Sequence, residues 1–199
     1  MERLLGTLFL PFLEATGAYG ENQFAYRKQR SCKDLLALNV LEWLWQLHSG
    51  RKVAVYCSDV SGAFDRVWIC RFLDKLRQKG VEGPILKVLD SWLRTRTAVV
   101  VVEATRSKQA ALINQVYQGT VWGPPLWNVY FEDAKVPVNT AGFQDVFFAD
   151  DLNTYKDYAR SCSNFCLYEE MRECQAELHK WGAANRVQFD ASKEHAHTG

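Results

Sequence analysis

Apolar residues recur at helical spacing behind Ser31, at Leu35, Leu36, Leu38, Leu41, Leu44 and Trp45, until Ser49-Gly50 closes the run. This predicts a long helix. KVAVYCSD, residues 52–59, is rich in strand formers and ends on a carboxylate. Residues 64–78 read as a helix closed by Gly80, and Pro84 opens another that runs through Leu93. TAVVVVE at 97–103 and ALINQVY at 111–117 read as paired strands around a polar turn. Pro124 and Pro125 suit the first turn of a helix continuing through Asp133. Residues 143–149 and 152–155 read as a hairpin with Asp150-Asp151 at its tip. A helix over about 163–181 follows, then short extended pieces. The sum is an α+β fold, an antiparallel sheet backed by helices.

Composition narrows the class. With 199 residues, 48% hydrophobic and 13% aromatic, the chain can bury a sizeable core. A net charge of +1 does not announce a nucleic-acid partner, so such a contact must rest on local clusters. Arg27, Lys28 and Arg30 form one; Arg51-Lys52 and Arg94 with Arg96 are others. Taken singly, each also reads as ordinary solvated charge. The six cysteines match no disulfide scaffold or zinc spacing, which points to buried reduced thiols and an intracellular compartment. The start loosely imitates a signal peptide, but Glu2, Pro11 and Glu14 interrupt it. It reads instead as an amphipathic helix in the middle of something larger. No stretch is apolar enough to span a membrane.

Candidate chemistry lies at two strand ends. Asp59 stands where a buried strand gives way to Ser61-Gly62, so it is held rigidly and faces outward. FFADD, 147–151, drives a second apolar strand into Asp150 and Asp151. Alone, either is an ordinary turn. Brought together, the carboxylates would repel unless a cation lay between them. Such hard oxygen donors suit Mg²⁺, which completes its shell with substrate phosphates. Two ions about 3.5–4 Å apart make the clamp used in phosphoryl transfer. Consecutive strand residues face opposite ways, so Asp150 is expected as a principal ligand and Asp151 as a subordinate one.

SDVSGAFDRV, QGTVWGPPLWNVYFED and FFADD, in that order, resemble motifs A, B and C of the reverse transcriptases of non-LTR (LINE-type) retrotransposons. Upstream, QFAYRKQRSCKDLL at 23–36 is similar to the fingers-to-palm segment usually written QFGFRKGRST, and QFDASKEH at 188–195 to motif D. One short acidic motif is weak; the ordered set is specific and outweighs a chance α+β protein with acidic turns. AFDRV and FADD favour the non-LTR type over group II intron or telomerase relatives.

The resemblance implies a right-hand polymerase palm with part of the fingers. Residues 1–50 would be partial fingers and the fingers-to-palm helix, and 51–199 the palm, with thumb and endonuclease absent. It implies RNA-directed DNA synthesis, in which a DNA primer 3′-OH attacks a dNTP on an RNA template. Two Mg²⁺ ions, or Mn²⁺ as substitute, would be bound by Asp59, Asp150, Asp151 and the Val60 carbonyl. Phe64 aligns with the steric gate against a ribose 2′-OH. Gln118 and Gly119 match the pair that lies against the incoming nucleotide, and Lys193 the lysine that protonates pyrophosphate. Family habit places such copying in the nucleus or cytoplasm. Tyr117, Trp122 and Trp127 depart from the common pattern. The rival is a vestigial, inactive domain that binds nucleic acid.

Overall fold

The computed structural model describes residues 2–199. Helices α1 (Glu2–Ala15) and α2 (Cys32–His48) precede strand β1 (Lys52–Asp59). A 3-10 turn (Ala63–Arg66), α3 (Ile69–Gln78) and α4 (Gly83–Arg94) follow. An arm holds the short strands β2 (Thr97–Ala98), β3 (Val101–Val102), β4 (Thr105–Arg106) and β5 (Ala110–Ala111). Next come α5 (Gly123–Phe131), a second 3-10 turn (Glu132–Ala134), α6 (Lys135–Thr140), β6 (Gln144–Phe148) and β7 (Asp151–Tyr158). Helix α7 (Asn164–Asn185) and β8 (His195–Thr198) complete the order.

The main sheet runs β6-β7-β1-β8 and every neighbouring pair is antiparallel, so the predicted α+β class holds. Helix α7 lies on one face. Its buried Leu167, Met171, Cys174 and Leu178 repeat at helical spacing over the side that carries Tyr56, Leu152 and Thr154. Phe131 joins α5 to the sheet and to α7, packing on Phe147, Trp181 and Phe189. Across the sheet, Trp43 of α2 meets Tyr155 edge-on.

Local signals explain the boundaries. Ser31 accepts from Asp34 N–H at the start of α2, and Ser163 accepts from Cys166 N–H at the start of α7. Helix α1 buries Gly6, Phe9 and Leu13. The leucines of α2 do not form a buried stripe, since Leu36, Leu38, Leu41, Leu44 and Trp45 are 56–66% exposed.

Several expectations need correction. The helix expected over 64–78 is broken, because fully buried Val67 turns inward in an extended conformation between the 3-10 turn and α3. Residues 111–117 are not one strand; the arm pairs only two residues at a time. The hairpin tip falls on Ala149-Asp150, and Asp151 is already the first residue of β7. Helix α6 was not foreseen. All six cysteines are free as expected, but only Cys174 is buried, while Cys32 and Cys70 are exposed. Among the described residues, no helix is long and apolar enough to cross a membrane.

Candidate active site

Strand β1 carries Asp59 to its last position, where register sets it directly opposite Asp151 of β7. Paired residues on neighbouring strands share one face of the sheet, so these two carboxylates project the same way. Asp150 sits one residue earlier, in the turn closed by the pair Phe148 and Asp151. The turn supplies the change of direction that two consecutive strand residues lack.

Electrostatics bind the three acids into one field. Burial pushes the Asp150 carboxyl above its ordinary range, Asp59 adds to this, and Asp150's own N–H and Lys193 oppose it. Asp151 is raised by burial, then by Asp59 and Asp150, again against Lys193. Lys193 Nζ donates directly to Asp59 Oδ2, and that carboxylate is only 13% exposed. A tight turn delivers the lysine: Ser192 N–H and Oγ donate to Asp190 Oδ1, and Lys193 N–H donates to Asp190 O. Asp190 N–H in turn donates to Asp59 O.

Val60 bridges Phe189, but the hydrogen bonds of that bridge use Asp59 O and Gln188 O, which leaves the Val60 carbonyl outside it. Phe64, in the 3-10 turn after Asp59, stacks on Trp127 with ring centroids 6.3 Å apart. Gln118 and Gly119 are exposed in the turn before α5. Gly119 has φ +79, and a Cβ there would meet nothing within 4 Å, so the backbone is open to close approach.

The basic cluster divides. Arg27 is spent on Glu14 and on the carbonyls of Gly20 and Gln23, and Arg30 on the carbonyls of Glu21 and Gln23. Lys28 is exposed.

The donors are hard oxygens of the kind a divalent cation prefers. Among the described residues, no group of three or more His, Cys, Asp or Glu side chains is placed to hold a metal ion by itself. A cation that fills most of its shell with water and phosphate does not require one, so the donor set fits Mg²⁺.

A family model described as reverse transcriptase (RNA-dependent DNA polymerase) matches residues 2–198. The chain belongs to the reverse transcriptase family. Its curated relatives include the RNA-directed DNA polymerase of mobile element jockey from Drosophila melanogaster, 27% identical over 196 residues. Another is the probable RNA-directed DNA polymerase of transposon X-element from the same fly, 30% identical over 157 residues. These matches cover 97% and 76% of this chain but only 21% and 17% of the relatives, so the chain spans a small part of their length. They bear out the retrotransposon type read from the motifs.

Among solved structures, telomerase from Candida albicans in complex with a TWJ fragment of telomeric RNA superposes with TM-score 0.69. That match is 12% identical and covers 98% of this chain and 34% of the telomerase. Apo telomerase from Candida tropicalis, truncated of its C-terminal domain, gives 0.66 at 13% identity over 99% of this chain and 40% of its own. At such identities the likeness is one of fold.

In this reverse transcriptase chain, three residues make contacts at the site that the sequence did not disclose. Gln23 and Trp127 both hydrogen-bond the backbone of Ala149. Glu194 receives Tyr56 Oη and Gln175 Nε2, tying the segment of Lys193 to β1 and α7. Gln23 and Glu194 lie inside quoted motifs, but nothing in their spacing marks them, because their partners are distant in sequence.

Proposed function

We propose that this chain is the palm, with part of the fingers, of an RNA-directed DNA polymerase that extends a DNA primer with dNTPs on an RNA template. The observation that carries the reading is the register of Asp59 against Asp151 with Asp150 in the adjoining turn. We keep residues 1–50 as the fingers side and 51–199 as the palm, joined where Gln23 bridges Phe147 of β6.

Asp59 and Asp150 would hold two Mg²⁺ ions, with Asp151 and the Val60 carbonyl assisting. Bound there, the metals would lower the charge cost of the attacking hydroxyl and the leaving phosphate. The protein's own part is placement. Gln118 and Gly119 offer an open, exposed backbone turn for the nucleotide to lie against. Phe64, fixed by its stack on Trp127, would bar a ribose 2′-OH. Lys193, an ammonium resting on Asp59, is within reach to donate a proton to pyrophosphate once a cation takes its place. Lys28 is the freest cation of its cluster for a phosphate backbone, while Arg27 and Arg30 would shape the loop that presents it.

An inactive nucleic-acid-binding remnant has no use for three acids kept in one field, so no observation favours that reading. Primer extension on RNA with dNTPs and Mg²⁺ or Mn²⁺, comparing wild type with Asp150→Asn, tests the proposal. Extension by wild type that falls by about a thousandfold in the variant is expected. No extension by wild type would overturn catalysis by this chain.

A further inference from the structure

We propose that Gln23 and Trp127 are positioning residues: together they clamp the backbone of Ala149 and so fix the turn that presents Asp150 and Asp151. The inference rests on the polymerase reading for the task it assigns to the turn.

The loop between β6 and β7 has two residues, Ala149 and Asp150. Loops of this length demand positive φ at the first position or at both, which glycine, asparagine or aspartate supply cheaply. Here Ala149 takes that place with φ 59, a left-handed conformation its Cβ resists. The conformation is disfavoured by the residue itself, and contacts from outside the hairpin would stabilise it.

Gln23 supplies them. The side chain is 2% exposed, and its amide makes two contacts with one residue. Oε1 accepts from Ala149 N–H at 3.0 Å, and Nε2 donates to Ala149 O at 3.3 Å. Oε1 also accepts from Ala25 N–H at 3.0 Å, which settles which way round the amide lies. Gln23 thus acts toward Ala149 as a neighbouring strand's peptide would. Trp127, fully buried on α5, adds a donor at 3.1 Å to the same carbonyl, which fills both of its lone pairs. The indole belongs to the helix that follows the Gln118–Gly119 turn and also supports Phe64. Three parts of the site therefore share one anchor.

The β6–β7 ladder of five residue pairs can hold the hairpin without this anchor. What the clamp adds is the choice of turn conformation, and hence the direction of Asp150. Removing a side chain that orients a metal ligand costs about tenfold or more in metal affinity.

Four proteins test this: wild type, Gln23→Met, Trp127→Phe and Gln23→Met with Ala149→Gly. Each is titrated with Mn²⁺ by electron paramagnetic resonance, assayed for kcat and dNTP KM, and unfolded thermally. Gln23→Met is expected to weaken Mn²⁺ binding about tenfold and to lower kcat more than it raises KM. Trp127→Phe removes the N–H together with part of the buried ring, so its expected loss of about fivefold in Mn²⁺ affinity is read against its thermal stability. Ala149→Gly in the Gln23→Met background should recover part of the Mn²⁺ affinity and unfold above the single variant, because glycine takes the left-handed turn unaided.

Unchanged Mn²⁺ affinity in both single variants would overturn the proposal. So would a double variant no better than Gln23→Met in either readout. If Gln23→Met does not fold, Trp127→Phe alone decides by its metal affinity. Wild type that binds Mn²⁺ with no effect of the clamp sinks only this inference; wild type that neither binds Mn²⁺ nor extends a primer sinks the polymerase reading beneath it.

Discussion

Two hairpins in this molecule close with the same kind of loop and share almost nothing else. Ala149-Asp150 lies between the pair Phe148 and Asp151, and Glu103-Ala104 between the pair Val102 and Thr105. Each loop opens on a left-handed residue that is not glycine, with φ 59 at Ala149 and 54 at Glu103. Around Ala149, β7 pairs along its length with β1, and Leu152 beside the tip is fully buried. Around Glu103, the ladder is two residues long, and Val100, Val101 and Val102 are 56–66% exposed. Among the described residues, the hydrogen bonds of 97–111 stay within the arm or reach only its flanks at Arg96 and Leu112. Similar strand propensity made an exposed ribbon in one place and the scaffold of the three acids in the other. Burial of one face separates them.

The contrast is broken most sharply by matched truncations. Leu152→Ala removes a fully buried side chain between β1, β6 and α7 and should cost about 3 kcal/mol of stability. For a chain of this size that is a fall in unfolding temperature of roughly 6–12 °C. Val101→Ala in the arm should stay within about 0.5 kcal/mol. Urea unfolding followed by far-UV circular dichroism measures both, and equal costs would mean that the arm is part of the cooperative core.

A smaller effect sharpens the role of backbone strain. Gln29 is exposed with φ 59, in the loop that leads from the clamp residue Gln23 into α2, where the family pattern quoted above carries glycine. Gln29→Gly should raise global stability by up to about 1 kcal/mol by removing a Cβ from a left-handed position. Glu103→Gly relieves the same strain in the arm, where local opening already decouples it from the rest. There the gain should appear as slower amide hydrogen exchange in 101–106, with the global midpoint unmoved. Both variants read by the same denaturation curve distinguish strain held by the fold from strain held by nothing.

Strand β1 was legible because its apolar run and terminal Asp59 are local facts, and the observed bounds match those read at 52–59. The helix starts at Ser31 and Ser163 were legible for the same reason. The fold class followed from the order of elements, and the identity of the acids from motif order. What stayed hidden depends on distant partners. Nothing near Val67 says that a buried contact will interrupt the helix there. Nothing near Val99–Val102 says that no sheet will receive them. Gln23 reads as one polar residue in a loop until the turn 126 residues away is brought against it. Trp127 stood out only as a bulky departure, and its function became visible once its N–H met Ala149 O.

The smallest predicted effect concerns the far end of the same hairpin, where β7 is tied to α7. Lys156 Nζ donates to Glu170 Oε2 at 2.6 Å and Tyr158 Oη donates to the same oxygen at 3.0 Å. The Lys156 bond holds the Glu170 carboxyl below its ordinary value of 4.5 against the penalty of burial, helped by Tyr158. A carboxyl whose folded value is depressed binds fewer protons folded than unfolded. Its contribution is therefore complete above about pH 4.5 and is lost as pH falls through the lower folded value. The pair is about a third exposed at each side chain, so the contribution is roughly 0.5 kcal/mol after screening. Glu170→Gln should thus be less stable than wild type at neutral pH, with the gap closing as pH falls below 4.5. The arm has no counterpart to this tie: among the described residues, Glu103, Arg106 and Lys108 form no ion pair. Acid should therefore lower the protection of the amides at 155–158 in wild type, relative to their intrinsic exchange at each pH, and leave the protection of 101–106 as it was. A stability gap that widens toward acid would show that Glu170 is protonated more readily in the fold than out of it, and would remove this anchor from the account of why the two hairpins differ.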